Sequence, residues 1–265
     1  MRVRIIFTTE NKGALVPFHH QHLITEVFDG IFKELYFIKK DNFYNFSGLK
    51  GQTKVTPNGL QYFSSRVTIV FSSQSDQLVD EFLKALFKRE RIKIGELSIV
   101  PETVEKESEV ELGDANKYLC ISPIVICNPK FTPDLDCKKF ISPMSDQFSD
   151  ILYESTMAMM EQSGRYSADE IASFFKFQIV PDKDYLAKIK EGDKKFARIY
   201  SLFEGDNIFE VRGYTFPFTL YAHPKVHEFV FNNGVGTFCN KGFGMLDIAS
   251  ANIKKTTSTY QVIAA

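Results

Sequence analysis

The chain has 265 residues, 44% of them hydrophobic and 14% aromatic, with 32 basic against 33 acidic side chains for a net charge of −1. That length exceeds one small domain and suits two of roughly 100–150 residues each. The charge balance excludes a global field that draws the protein to nucleic acid, so any such binding must come from a local basic face.

The N-terminus, Met1-Arg2-Val3-Arg4-Ile5-Ile6-Phe7, has no signal-peptide core, and no run of 18 apolar residues follows. A cytoplasmic chain with no membrane contact is expected. Cys120, Cys127, Cys137 and Cys239 form no Cys-x-x-Cys pair and have no histidines near them at metal-ligand spacing. The expectation is reduced, mostly buried thiols, with no metal site and no cofactor.

In chain order, Val3, Ile5 and Phe7 alternate along a first strand. Pro17 and the His19-His20-Gln21-His22 run open a helix in which Leu23, Val27, Ile31 and Leu35 fall near helical spacing. Residues 43–49 and 61–72 read as two further strands. Residues 75–90 form an amphipathic helix on Leu78, Val79, Phe82, Leu83, Leu86 and Phe87. A strand over 92–104 closes a β-α-β-β-α-β unit, the ferredoxin-like arrangement, placed at 1–113.

Glu102, Glu105, Glu107, Glu109 and Glu111 then mark a domain junction or a solvated strand face. The second unit, 114–265, begins with a strand over 118–127 and a helix over 143–163. Strands near 174–180, 196–203 and 208–221 follow, and a short helical or extended stretch at 223–232. This half fits a second, less regular ferredoxin-like unit, so the fold class is α+β with tandem ferredoxin-like domains.

Next comes Gly234-Val235-Gly236-Thr237-Phe238-Cys239-Asn240-Lys241-Gly242-Phe243-Gly244-Met245, with glycines spaced G-x-G-x5-G-x-G, and a short strand at 245–248. Glycine admits positive φ and close backbone approach. Such a loop can expose successive N–H groups to a phosphate, or it can be a glycine-rich hairpin turn. It fits neither the P-loop nor the dinucleotide fingerprint.

Three segments together resemble the CRISPR repeat-cleaving endoribonucleases, the sixth numbered Cas family. They are the opening strand followed by Val16-Pro17-Phe18-His19-His20-Gln21-His22-Leu23, the segment Phe43-Tyr44-Asn45-Phe46-Ser47-Gly48-Leu49-Lys50, and the glycine loop with its Gly-Phe-Gly-Met ending. The resemblance implies a tandem ferredoxin-like fold of the RAMP type and metal-independent cleavage of CRISPR precursor RNA within its repeats. A base deprotonates the 2′-hydroxyl, that oxygen attacks in line, and an acid protonates the leaving 5′-oxygen, giving a 2′,3′-cyclic phosphate. The implied partners are repeat RNA, other CRISPR complex subunits and a second copy of the chain.

Many members carry a catalytic histidine just after the first helix. Here that place holds Tyr36 and Phe37, followed by Ile38-Lys39-Lys40-Asp41. The catalytic candidates are therefore His22 and His20, with Tyr36 orienting and Lys39 countering phosphorane charge. Alternatively His20 and Gln21 are structural caps, Tyr36 a packed helix-end aromatic and Lys39 a solvated lysine. His223 and His227, four apart, make a weak zinc pair with no third ligand.

Lys50, Lys54 and Arg66 in the first unit are candidate RNA contacts, with Lys194, Lys195, Arg198, Arg212 and Lys241 in the second and the loop glycines Gly234, Gly236, Gly242 and Gly244. Strand alternation places Arg198 and Tyr200 on one face, which suits a phosphate contact beside base stacking. Two other readings stand beside the nuclease: a repeat-RNA-binding protein that does not cut, and a structural subunit of a CRISPR ribonucleoprotein complex.

Overall fold

The computed structural model describes residues 1–35, 43–127, 137–192, 194–204, 207–249 and 256–262. In chain order the first elements are β1 (Arg2–Thr9), β2 (Ala14–Val16), α1 (Gln21–Glu34), β3 (Asn45–Phe46), β4 (Thr53–Thr56), β5 (Gly59–Tyr62), β6 (Arg66–Ser72), α2 (Asp76–Leu86), β7 (Ile92–Ile94) and β8 (Leu97–Glu107). Then come β9 (Ala115–Cys120), β10 (Ile124–Val125), α3 (Asp146–Gln162), α4 (Ala168–Ser173), β11 (Phe177–Pro181), α5 (Lys183–Glu191), β12 (Ala197–Glu204) and β13 (Asn207–Tyr214). The chain ends with β14 (Phe218–Ala222), α6 (Pro224–Asn233), β15 (Leu246–Ile248) and β16 (Thr257–Tyr260).

Two compact units emerge, one of residues 1–109, 240–242 and 255–265, the other of 110–239 and 243–254. The first carries a sheet in the order β16-β8-β1-β6-β3, with β7 also paired to β8, and a small separate sheet β2-β5-β4. Its ferredoxin strands β1, β3, β6 and β8 thus lie in the order 4-1-3-2, all antiparallel. The second unit repeats that order in β11-β14-β9-β15, and a second sheet, β10-β13-β12, is inserted into it. A single cut at 113 does not describe this division, because β16 pairs with β8 and returns the chain to the first unit.

The first core follows from the sequence pattern. Val3, Ile5 and Phe7 point inward from β1, and Leu78, Val79, Phe82, Leu83 and Leu86 do so from α2. Ser75 caps α2 by accepting the Leu78 N–H. On α1 the buried stripe is Ile24, Phe28, Ile31 and Phe32, with Leu23 and Val27 only partly covered. The helix is turned so that Phe28 meets Phe46 and Phe82 edge-on, each at 4.7 Å.

Several expected strands divide. Residues 61–72 break at Ser64-Ser65, and only β6 joins the main sheet. Residues 92–104 fold as a β7–β8 hairpin turned by Gly95 at φ +61°. Residues 208–221 break before Pro217, which has no N–H to give a ladder. The acidic run is not uniformly solvated: Glu107 is buried and accepts from Arg2 Nε at 2.9 Å.

The cysteine expectation is corrected for one pair. Cys127 and Cys137 form a disulfide, with Cα atoms 4.5 Å apart, while Cys120 and Cys239 are free. Both bridged residues are buried among Val125, Tyr200, Leu202 and Val211, a proximity made by folding and invisible in the spacing. No helix among the described residues is long and apolar enough to cross a membrane.

Candidate functional site

In the first unit, the polar entry to α1 is built around His20. Its Nδ1 lies 3.1 Å from the Pro17 carbonyl oxygen, and its Nε2 accepts the Leu49 backbone N–H at 3.1 Å. An Nδ1–H tautomer satisfies both bonds, and burial lowers the pKa of the ring. Gly48 packs closely beside it, where a Cβ would stand 3.3 Å from His20 Nε2. His20 thereby ties the start of α1 to the segment after β3, and taking up a second proton would break its bond to Leu49. His22, one residue into α1, is half-buried, and the first turn of that helix holds no acidic side chain. Tyr36 and Lys39 lie outside the described residues.

The cations of this unit differ in how far they are committed. Arg66 donates from Nε to Glu102 Oε2 at 2.8 Å and also bonds Glu102 Oε1, a bidentate pair. That pairing, with a further bond from Thr8, holds the Glu102 carboxyl below its usual range. Lys241 Nζ sits 2.9 Å from Asp29 Oδ2 on α1. Lys50 and Lys54 are exposed, Lys54 on β4.

The glycine loop is compact, and four of its glycines are buried. Gly236, at φ +86°, passes so near Val125 that a Cβ would lie 2.3 Å from its carbonyl oxygen. Gly244, at φ +70°, would bring a Cβ within 2.0 Å of the Val235 oxygen, and Gly242 within 2.5 Å of the Phe46 ring. Of the two readings of the spacing, the anion cradle is closed at five of the loop's N–H groups, which already donate to backbone carbonyls. Gly234 donates to Val230, Val235 to Gly244, Thr237 to Val125, Phe243 to Phe238 and Gly244 to Pro123. Here Gly236 and Gly244 serve close backbone packing, and Gly242 leaves room for the Phe46 ring.

In the second unit Lys194, Lys195 and Arg198 are exposed. Arg212 donates from Nε to the Lys138 carbonyl at 3.0 Å and lies 5.8 Å above the Phe140 ring. Tyr200 does not act as an open stacking surface beside Arg198: its ring is buried edge-on to Phe243 at 5.6 Å and against Gly213. His227 is fully buried with Nδ1 2.9 Å from the Tyr118 hydroxyl, and burial lowers its pKa. His223 instead caps α6, accepting the Lys225 N–H. Among the described residues, no three His, Cys, Asp or Glu side chains group as metal ligands.

The family model described as CRISPR associated protein Cas6, C-terminal, matches residues 105–248, more than half of the chain. The chain belongs to the Cas6 family. It is 22% identical over 259 residues to the CRISPR-associated endoribonuclease-like protein Cas6nc of Pyrococcus horikoshii, covering 94% of this chain and 99% of that one. It is 21% identical to a Cas6 endoribonuclease-like protein of Pyrococcus furiosus over 73% of each. A solved structure described as an RAMP protein binding different RNA substrates superposes with a TM-score of 0.75 at 20% identity, over 94% of this chain and all of that one. A Cas6-related protein from Pyrococcus furiosus gives 0.73 at 20% identity, over 95% and 99%. These likenesses agree with the tandem ferredoxin-like architecture.

Within this Cas6 chain, the first unit brings together His20, the first turn of α1 with His22, and the Ser47-Gly48-Leu49 segment, where Ser47 Oγ accepts the Val70 N–H. It also joins Lys241 to α1 through Asp29. Arg66 and Glu102 form a separate pair on β6 and β8. Sequence reasoning passed over Phe175 and Tyr221, large aromatics that are 71% and 48% exposed. Their signal was present but weak: Tyr221 alternates outward from buried Leu220 and Ala222 on an inner strand.

Proposed function

We propose that this chain is a metal-independent endoribonuclease that cuts CRISPR precursor RNA within its repeats. The Cas6 family match over residues 105–248 carries this reading. The 2′-oxygen beside the scissile phosphate loses its proton to a base and bonds to phosphorus. The bond from phosphorus to the 5′-oxygen breaks, and an acid protonates that oxygen. The products are a 2′,3′-cyclic phosphate and a 5′-hydroxyl, with no metal or cofactor in any step.

His22, half-buried in the first turn of α1, is assigned the proton transfer, and both nitrogens of His20 are bonded to backbone. His20 then acts as the positioning residue that seats the start of α1. Tyr36 and Lys39 retain their assignments from the sequence, orienting the scissile group and countering phosphorane charge. Lys50, Lys54, Lys194, Lys195 and Arg198 supply exposed phosphate contacts, and Arg66, Arg212 and Lys241 join them by exchanging the partners described above. Gly234, Gly236, Gly242 and Gly244 shape the surface on which RNA lies. The protein works in the cytoplasm, alone, as a second-copy pair or with other CRISPR subunits.

A second reading, repeat-RNA binding without cutting, is favoured by the commitment of His20 to Pro17 and Leu49. Incubating the protein with labelled repeat RNA in excess EDTA separates the two. A discrete cut ending in a 2′,3′-cyclic phosphate supports the nuclease, and binding with no cut supports the binding protein.

A further inference from the structure

A cavity of about 440 Å³ opens in the second unit between the end of α4 and the end of β14, a volume within the ~300–1,000 Å³ of ligand pockets. Its walls are unusual for a protein surface. Phe175 is 71% exposed and Tyr221 is 48% exposed, and both line the opening. Exposed aromatics in pairs are costly to keep in water unless something covers them. Tyr221 stands on β14, an inner strand of the β11-β14-β9-β15 sheet, beside Gln178 of β11 on the same open face.

The polar groups at this cavity differ in sign and kind. Lys176 follows Phe175 directly, is exposed, and forms no ion pair among the described residues. The His223 ring packs 4.8 Å from Phe174, and its Nδ1 accepts the Lys225 N–H, so Nε2 carries the ring proton and is a donor. Asp114 brings a carboxylate, an acceptor only, to the same cavity. A bare phosphate would meet repulsion from Asp114, and a purely apolar ligand would leave Lys176 and Asp114 unused. A group with a flat π-face, an amino donor and an attached phosphate satisfies all three demands.

We propose that this cavity receives one unpaired nucleobase of single-stranded RNA, stacked against Phe175 and Tyr221, with its exocyclic amino group toward Asp114 and its phosphate toward Lys176 and His223. The assignment rests on the reading of the chain as an RNA-binding Cas6 protein and adds a base-selective contact remote in sequence from the α1 histidines. Asp114 selects cytosine, adenine or guanine over uracil, whose corresponding edge presents a carbonyl acceptor to a carboxylate.

The test uses the full chain, labelled repeat RNA and two hexanucleotides, oligocytidylate and oligouridylate, with affinity read by fluorescence anisotropy. Phe175→Ala and Tyr221→Ala should each weaken oligocytidylate by about 5- to 100-fold, the range for loss of one stacked base, with thermal melting unchanged because both residues are exposed. Tyr221→Phe should retain the affinity. Lys176→Ala should flatten the salt dependence by about one phosphate contact. Asp114→Ala should erase the preference for oligocytidylate over oligouridylate. Wild-type affinity in the Phe175→Ala/Tyr221→Ala double variant overturns the cavity assignment and leaves the repeat-RNA reading standing. Equal wild-type affinity for the two hexanucleotides overturns the base selection. A wild-type chain that binds no RNA overturns the underlying reading and this assignment with it.

Discussion

Replacing Gly244 with alanine separates a glycine needed for space from one needed only for its dihedral angle. At φ +70° the alanine backbone enters the left-handed region, a cost of about 1–2 kcal/mol. Its Cβ would also lie 2.0 Å from the Val235 carbonyl oxygen and 3.0 Å from the carbonyl carbon, both of them backbone atoms. The two loop segments must part to relieve this. Parting them strains the Val235 N–H bond to Gly244 and the Gly244 N–H bond to Pro123, 3.0 and 2.7 Å long. At about 1 kcal/mol each, the total reaches about 3–4 kcal/mol, or a fall in Tm of about 6–16 °C for a unit of this size.

Gly164 is the control. It has φ +63°, but a Cβ there meets nothing within 4 Å, so Gly164→Ala should cost only the dihedral term of about 1–2 kcal/mol. Both lie in the second unit, so one melting curve followed by circular dichroism compares them directly. Equal shifts for the two variants would refute the argument that backbone crowding dictates the loop's glycines.

Other expectations follow from the same geometry. His22→Ala should lower repeat cleavage by about 10²–10⁴-fold while RNA affinity changes little; equal losses in both would make it a positioning residue. His20→Ala should destabilise the first unit by about 1–3 kcal/mol, measured by urea unfolding, because the Leu49 N–H loses its acceptor. Burial depresses the folded pKa of His20 and His227 below 6.5, so below that pH the unfolded chain takes up protons that the folded chain refuses. Their stabilisation is thus complete above pH 6.5 and falls as pH drops toward their folded values. Urea midpoints should decline between pH 7.5 and 5.5, a window above the depressed carboxyls of Glu102, Asp182 and Glu170, the last at about 2. A flat profile would oppose this. Thiol titration without reductant should find two groups after denaturation, Cys120 and Cys239, and almost none before it, since burial pushes both thiols up to about 12; four would mean the Cys127–Cys137 bridge is open.

The legibility of this chain varied with how local its causes are. Strand β1 and helix α2 were readable because one face of each is apolar at the right period and the core accepts that face unchanged. Helix α1 was readable as a helix, but its buried stripe was set by aromatic contacts from Phe46 and Phe82, which spacing on α1 alone does not contain. Strand β16, Thr-Ser-Thr-Tyr, carries little apolar signal and exists because β8 offers it an edge. The spacing of the glycine loop left an anion cradle and a tight turn both open, since sequence shows where a Cβ is missing and not which carbonyl approaches. For the candidate site, the His20 bonds to Pro17 and Leu49 joined residues 3 and 29 positions away, and only the nearer could be inferred. The aromatic cavity escaped because Phe175 and Tyr221 are 46 residues apart and meet through the pairing of β11 with β14.

The return of β16 to β8 bears on the order in which the protein can be made. On the edge facing away from β1, the Glu107 end of β8 is paired by residues 257–260, translated after the whole of the second unit. While the ribosome is still making those intervening residues, that stretch of β8 presents an unpaired ladder edge, the feature through which incomplete chains associate with one another. Completion of the first sheet therefore waits on synthesis of the second unit, and deleting residues 257–260 should yield aggregates rather than a smaller soluble protein.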